Sequence, residues 1–263
     1  MNTNINNNAH SHNEIDVNGK KVYFASDVHL GSPSHKNPLE IEKKFVNWLE
    51  SIKNDAKEIY LVGDIFDFWF EYKKAIPRGF TRFISKLCDL NDAKIPVHFI
   101  TGNHDIWIFD YLPSETGIIV HKKPIIVEID GSKFFIAHGD GLTKNEKTYN
   151  IMKKIFHNRV AQWFFRWLHP DIGIKIAEIW SRQSRKSRSD NRVLVPEKER
   201  LVDWAIEKLK KEYFDFFIFG HRHIEKDMKI KEKSRVIYLG DWVKIFSYGV
   251  WDGNNFELKY YKE

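Results

Sequence analysis

The sequence predicts a layered α/β domain, and three observations carry that prediction. Short apolar runs each end in a polar cluster, amphipathic helical segments lie between several of them, and the C-terminal part turns to β runs separated by turn residues. The runs are residues 21–25 before SDVHLG, 59–62 before GDIFDFW, 97–101 before GNHD, 133–137 before HGDG and 216–219 before GHRH. Strand, polar loop and helix in alternation is the pattern of an α/β sheet, where ligands gather beyond the carboxyl ends of the strands. Five strand-end loops bearing His, Asp and Asn are therefore expected to face one site.

The helical segments follow from a 3.6-residue apolar period. Residues 39–53 place Ile41, Phe45, Trp48, Leu49 and Ile52 on one face, residues 79–90 do the same with Phe80, Phe83, Ile84, Leu87 and Cys88, and residues 196–213 form a third such segment. Cys88 is the only cysteine, so no disulfide framework exists and a buried thiol is expected. The tail from 235 to 260 has short β runs broken at Gly240–Asp241 and Asp252–Gly253, which predicts antiparallel strands completing a second sheet.

At 263 residues the chain suits one domain with an insertion. Residues 1–17 are Asn-rich and lack the basic start and apolar stretch of a signal peptide, which predicts a flexible leader on a cytosolic protein whose domain spans 18–263. The apolar runs are strand-sized, well short of the roughly 20 residues a spanning helix needs. From about 142 to 195 the strand rhythm stops. Ile151, Ile155, Phe156, Val160, Trp163, Phe164, Trp167 and Leu168 recur at helical spacing until His169-Pro170, and Ile172, Ile176, Ile179 and Trp180 resume the pattern. This predicts a helical cap folded over the site. Residues 144–192 hold twelve Lys/Arg against four acids while the whole chain is only +6, so this segment is the one expected to meet an anionic partner.

The loop residues define a chemistry. Two divalent cations about 3.5–4 Å apart activate a phosphoryl group when the ligands deliver enough negative charge and one carboxylate bridges. Asp27 and His29 can approach one ion from a tight loop, and Asp64 at the next strand end can bridge to a second. Asn103 and His138 add donors without excess charge, and His221 and His223, flanking Arg222, can give one imidazole to each ion. Oxygen and imidazole donors with no thiolate suit Mn²⁺, Fe²⁺ or Zn²⁺ alike and Mg²⁺ less well; among them Mn²⁺ is the expected ion. His98, His121, His157 and His169 read as ordinary core or surface histidines.

The series DVHLG, GDIFDFW, GNHD, HGDG and GHRH resembles the calcineurin-like metallophosphoesterases over residues 21 to 245. The resemblance implies a four-layer α/β/β/α sandwich with a dinuclear centre at its edge. It implies Asp27, His29, Asp64 and His223 at one ion, and Asp64, Asn103, His138 and His221 at the other, with His104 beside the phosphoryl oxygens as a catalytic group. Asp67, Trp69 and Asp105 are expected to shape the loops. Within that family GDIFDFW, AHGDGL and a basic-aromatic insertion before GHRH resemble the UDP-2,3-diacylglucosamine diphosphatases of lipid A biosynthesis. This implies cleavage of a UDP-linked acylated sugar to UMP and a lipid 1-phosphate at the cytoplasmic face of the inner membrane, with no obligate protein partner. Asn145, Tyr149, Ser184, Lys186 and Arg222 are then the candidate substrate contacts, and Trp163, Phe164, Trp167 and Trp180 the lining of an acyl slot. His104 stands where many members have Arg, which leaves another nucleotide-linked, lipid or nucleic-acid phosphodiester as the alternative. A nucleic-acid clamp is the less favoured reading of the insertion, because helical periodicity of its tryptophans suits an apolar slot.

Overall fold

A computed structural model describes residues 14–33, 35–143, 156, 158–176, 179 and 199–262. Its strands in chain order are β1 (Glu14–Ile15), β2 (Lys21–Ala25), β3 (Ala56–Val62), β4 (Val97–Ile100), β5 (Ile119–His121), β6 (Ile125–Ile129), β7 (Ser132–Ala137), β8 (Phe216–Phe219), β9 (Glu225–Lys231), β10 (Ser234–Leu239), β11 (Ser247–Trp251) and β12 (Phe256–Tyr260). The helices are α1 (Pro38–Ile52), α2 (Thr81–Asp92), α3 (Tyr111–Thr116), α4 (Arg159–Arg166) and α5 (Arg200–Leu209), with a further helical turn at residues 170–176.

Two six-stranded sheets form, ordered β1-β6-β7-β8-β10-β9 and β12-β11-β2-β3-β4-β5. Successive side chains of a strand point to opposite faces, and here both faces are buried. In β2 and β3, Tyr23, Ala25, Ile59 and Leu61 meet the layer of α1 and α2, while Val22, Phe24, Tyr60 and Val62 face the other sheet. In β7 and β8, Phe134, Ile136, Phe216 and Ile218 complete the inter-sheet core, while Phe135, Ala137, Phe217 and Phe219 pack under α5. The result is an α/β/β/α sandwich in four layers. The helices on the first layer are tied together by a buried acid: Glu42 of α1 accepts from the backbone N–H of Arg82 and Phe83 at 3.0 and 3.1 Å, capping α2.

Three expectations need correcting. The tail does not lie in one sheet: β10 pairs parallel with β8 and antiparallel with the charged strand β9, while β11 and β12 join the other sheet beside β2. Cys88 is half-buried, its Sγ 3.5 Å from Glu115 O. Of the residues read as one helical stripe of the insertion, Val160, Trp163, Phe164 and Trp167 are 53–74% exposed. The packing face is that of Phe156 and Phe165, which meet Phe70 and Trp107, with Trp107 Nε1 donating to Phe156 O at 2.9 Å. A helix has only one inward stripe, and these rings belong to loops that follow Asp64 and His104, so the cap is anchored beside the site. Ile151, Ile155, His157 and Trp180 lie outside the described residues.

Candidate metal centre

The five loops leave β2, β3, β4, β7 and β8 at their carboxyl ends and meet at one edge of the sandwich. Asp27, His29, Asp64, His221 and His223 all adopt left-handed backbone, with φ of 56°, 50°, 54°, 66° and 52°. Asp and His tolerate this region better than most residues, yet each instance costs on the order of 1–3 kcal/mol and persists only when surroundings hold it. The loops hold one another: Asp27 N–H donates to Gly63 O, His29 N–H to Asp64 O, Gly220 N–H to His138 O, and His221 N–H to Asp27 Oδ2 at 2.9 Å. Two glycines make this closeness possible. A Cβ on Gly63 would sit 2.5 Å from His138 Nδ1, and one on Gly220 2.6 Å from Asp27 Oδ2.

The side chains form three overlapping groups of donor atoms, each group within 4.8 Å: Asp27, His29 and His223; His29, Asp64 and His104; Asp64, His138 and His221. What points inward is set by what holds each ring from behind. His138 Nδ1 donates to Val62 O at 2.8 Å, and His104 Nδ1 to Asp67 O at 2.7 Å. His223 Nδ1 meets Asp241 Oδ2 at 3.2 Å, and His29 Nδ1 faces Asp67 Oδ1 at 3.3 Å. The opposite nitrogens therefore turn to the centre. His29 Nε2 is 3.2 Å from His223 Nε2, His138 Nε2 is 3.1 Å from Asp64 Oδ2 and 3.3 Å from His221 Nδ1, and His223 Nε2 is 3.3 Å from Asp27 Oδ1.

Asp27 Oδ1 and Asp64 Oδ2 are buried and accept no hydrogen bond. Lone pairs of carboxylates and imidazoles that face one another out of water are costly unless a proton or a cation lies between them. The residues present thus fit divalent cations. Burial works to raise the Asp64 carboxyl, but His138, His104 and His29 outweigh it and hold it well below the usual carboxylate range. Burial works to lower His138, but the Asp64 carboxylate beside it pushes it up to about 10. Burial, reinforced by the charge of Asp64, raises Asp105 to about 7.

Asn103 is buried on the same loop as His104, whose N–H donates to Asp64 Oδ1 at 3.0 Å. Asp105 ties that loop to the preceding one, accepting from Gly102 N–H at 2.7 Å and Ile65 N–H at 2.8 Å. Among the expected substrate contacts, Asn145, Tyr149, Ser184 and Lys186 lie outside the described residues. Arg222 is engaged by a neighbouring acid: its Nε and Nη2 grip the Glu199 carboxylate at 2.9–3.2 Å. A two-pronged pair with a buried carboxylate is strong and directional. Sequence reasoning did not foresee Asp241 and Glu199, nor that Asp67 holds two imidazoles. Asp241 had a signal. Residues 239–242, LGDW, repeat after β10 the strand-Gly-Asp pattern of residues 62–65, VGDI.

Fold and donor set together define a metal-dependent phosphoesterase, and the sequence profile described as Calcineurin-like phosphoesterase matches residues 20–225. The chain belongs to the calcineurin-like phosphoesterase family, whose members use divalent metals. It is 41% identical to a Porphyromonas gingivalis protein named UDP-2,3-diacylglucosamine hydrolase, over 91% of this chain and 97% of that one. A Haemophilus influenzae protein of the same name is 27% identical over 87% of this chain and 93% of its own. Among solved structures, a phosphoesterase from E. coli is 13% identical, with a TM-score of 0.45, over 91% of this chain and 92% of that one.

Proposed function

We propose that the chain hydrolyses the pyrophosphate bond of UDP-2,3-diacylglucosamine, giving UMP and 2,3-diacylglucosamine 1-phosphate. The observation that carries the reaction type is the convergence of buried, hydrogen-bond-free carboxylate oxygens and inward imidazoles around Asp64, the carboxylate common to two donor groups. The substrate rests on the P. gingivalis relative, similar along nearly its whole length. Asp27, His29, Asp64 and His223 are assigned to one ion and Asp64, Asn103, His138 and His221 to the other; the donor set accepts Mn²⁺, Fe²⁺ or Zn²⁺, and Mn²⁺ is the ion proposed. Bound divalent ions supply Lewis acidity toward phosphoryl oxygens and an activated water at neutral pH. The protein's own groups do the rest. Asp67 and Asp241 orient His29, His104 and His223, and His104, anchored through Nδ1, presents Nε2 to carry a proton to the departing oxygen. One water is consumed: its oxygen bonds to phosphorus, the bridging P–O bond breaks, and the bridging oxygen leaves on the other phosphate.

The domain is proposed to run from 18 to 263, with residues 142–195 as its cap. The exposed Val160, Trp163, Phe164 and Trp167, interspersed with exposed Arg159, Arg166 and Lys175, suit acyl chains and the anionic surface of the cytoplasmic face of the inner membrane. Among the described residues no helix is long and apolar enough to cross a membrane. Incubating Mn²⁺-loaded protein with the UDP-linked lipid and quantifying UMP tests the reading; one UMP per lipid phosphate is expected. Hydrolysis of an aryl phosphodiester without UMP release would overturn the substrate and keep the reaction class, and hydrolysis of neither would overturn both.

A further inference from the structure

We propose that Glu199 is a positioning residue for the His221–His223 loop, acting through Arg222; this rests on the reading of those histidines as metal ligands. Arg222 sits between two residues in left-handed backbone, and its own N–H donates to Gly220 O at 2.8 Å, so the loop is a tight turn. A chain so bent relaxes unless it is held at more than one point. One hold is His221 N–H on Asp27 Oδ2 at 2.9 Å. The other is the Arg222 fork on Glu199, whose side chain is 6% exposed. The backbone of Glu199 is itself held: it is the N-cap of α5, its carbonyl receives Val202 N–H at 3.0 Å and Asp203 N–H at 3.2 Å, and Leu201, Val202 and Ala205 are buried under the sheet. A two-pronged guanidinium–carboxylate pair fixes direction as well as distance.

The pair also has an electrostatic role. An Arg between two imidazoles that receive dications would repel those ions, and Glu199 cancels its charge at contact distance. Losing Glu199 both frees the loop and exposes that charge. The test is Mn²⁺ binding by calorimetry and equilibrium dialysis on the full chain, for wild type, Glu199→Gln, Arg222→Lys and the double variant Glu199→Gln/Arg222→Gln. Folding is followed by circular dichroism, and KM and kcat are measured on an aryl phosphodiester. Each single variant is expected to stay folded and to bind at least one ion about 10–100-fold more weakly, the range for groups that orient metal ligands. The double variant is expected to lose less than the sum of its parts, because the two residues act as one unit. If Glu199→Gln does not fold, Arg222→Lys, which keeps the charge and loses the fork, decides. Wild-type affinity for both ions in folded variants overturns the proposal, as does a lower melting temperature with unchanged affinity. Failure of the wild-type chain to bind Mn²⁺ would instead overturn the ligand reading itself.

Discussion

His223 Nδ1 meets Asp241 Oδ2 at 3.2 Å, and that contact turns the other ring nitrogen to Asp27 Oδ1 at 3.3 Å. Asp241 is well built for the task, because its second oxygen accepts the N–H groups of Val243, Lys244 and Ile245 at 2.7–3.1 Å. Asp241→Asn keeps that turn if the amide oxygen takes the three donors, but then sets an NH₂ against the imidazole N–H. The expected outcome is a folded protein with Mn²⁺ affinity about 10–100-fold lower, read by calorimetry. Unaltered affinity would remove Asp241 from the site.

His104→Gln tests the proton-carrying role. With Nδ1 donated to Asp67 O, only Nε2 is available to a substrate oxygen. Turnover of the UDP-linked lipid should fall by about 10²–10⁴-fold with Mn²⁺ still bound. A phosphodiester with an alkyl leaving group, whose departing oxygen is far more basic than a phosphate or an aryloxide, should lose still more. Equal losses on both substrates would assign His104 to charge stabilisation instead.

Metal binding should depend on pH through His138. Without metal, this imidazole keeps its proton up to about pH 10, so an ion must displace that proton. Affinity is expected to fall about tenfold per pH unit on acidification from this group alone. The stability of the metal-free chain should move the opposite way. A folded pKa raised above the unfolded 6.5 adds stability that is whole below pH 6.5 and is lost as pH rises through about 10. Chelated protein should therefore melt lower at pH 9 than at pH 6.5. A flat Mn²⁺ affinity between pH 6 and 8 would count against this account.

Glu71 is a purely structural carboxylate, 2% exposed, that collects five donors. Phe109, Asp110 and Tyr111 N–H bond one oxygen at 2.8–3.0 Å, and Leu112 N–H and Trp69 Nε1 bond the other at 3.2 Å. It closes the amino end of α3 and pins the loop after Asp64. Glu71→Gln leaves one side with donors facing a donor, and a loss of about 2–4 kcal/mol in denaturant unfolding is expected. A change under about 0.5 kcal/mol would mean the loop repairs itself.

Trp163 and Trp167 present their rings to solvent. Replacing both with Gln should lower binding to vesicles containing anionic lipid by at least about tenfold, since each large ring contributes a few kcal/mol when buried. Sedimentation with vesicles reads this, with Mn²⁺ affinity as the control for folding. Undiminished vesicle binding would overturn the proposed role of these rings at a membrane surface.

Much of this was legible along the chain because it is local. A β strand that is buried on both faces must read as an apolar run, as residues 59–62 and 216–219 do, and the Asp, His and Gly that follow these runs tolerate the left-handed backbone found there. The helical face of residues 39–53 needed only its own period. The split of the tail between two sheets was not local: whether Val236 pairs beside Phe217 or beside β11 depends on which sheet edge is open, and 235–260 carries no mark of that.

The sequence by itself determined the layered class, the order of the loops and the kinds of donor atom they bring, since these follow from residue type and spacing. Tertiary structure alone decided which atoms of those residues face the centre. His138, His104 and His223 are turned by Val62, Asp67 and Asp241, partners 18 to 76 residues distant along the chain. It likewise decided that Arg222 meets Glu199 and that Trp163 and Trp167 are exposed. A ring's direction depends on the acceptor behind it, and only folding brings that acceptor there.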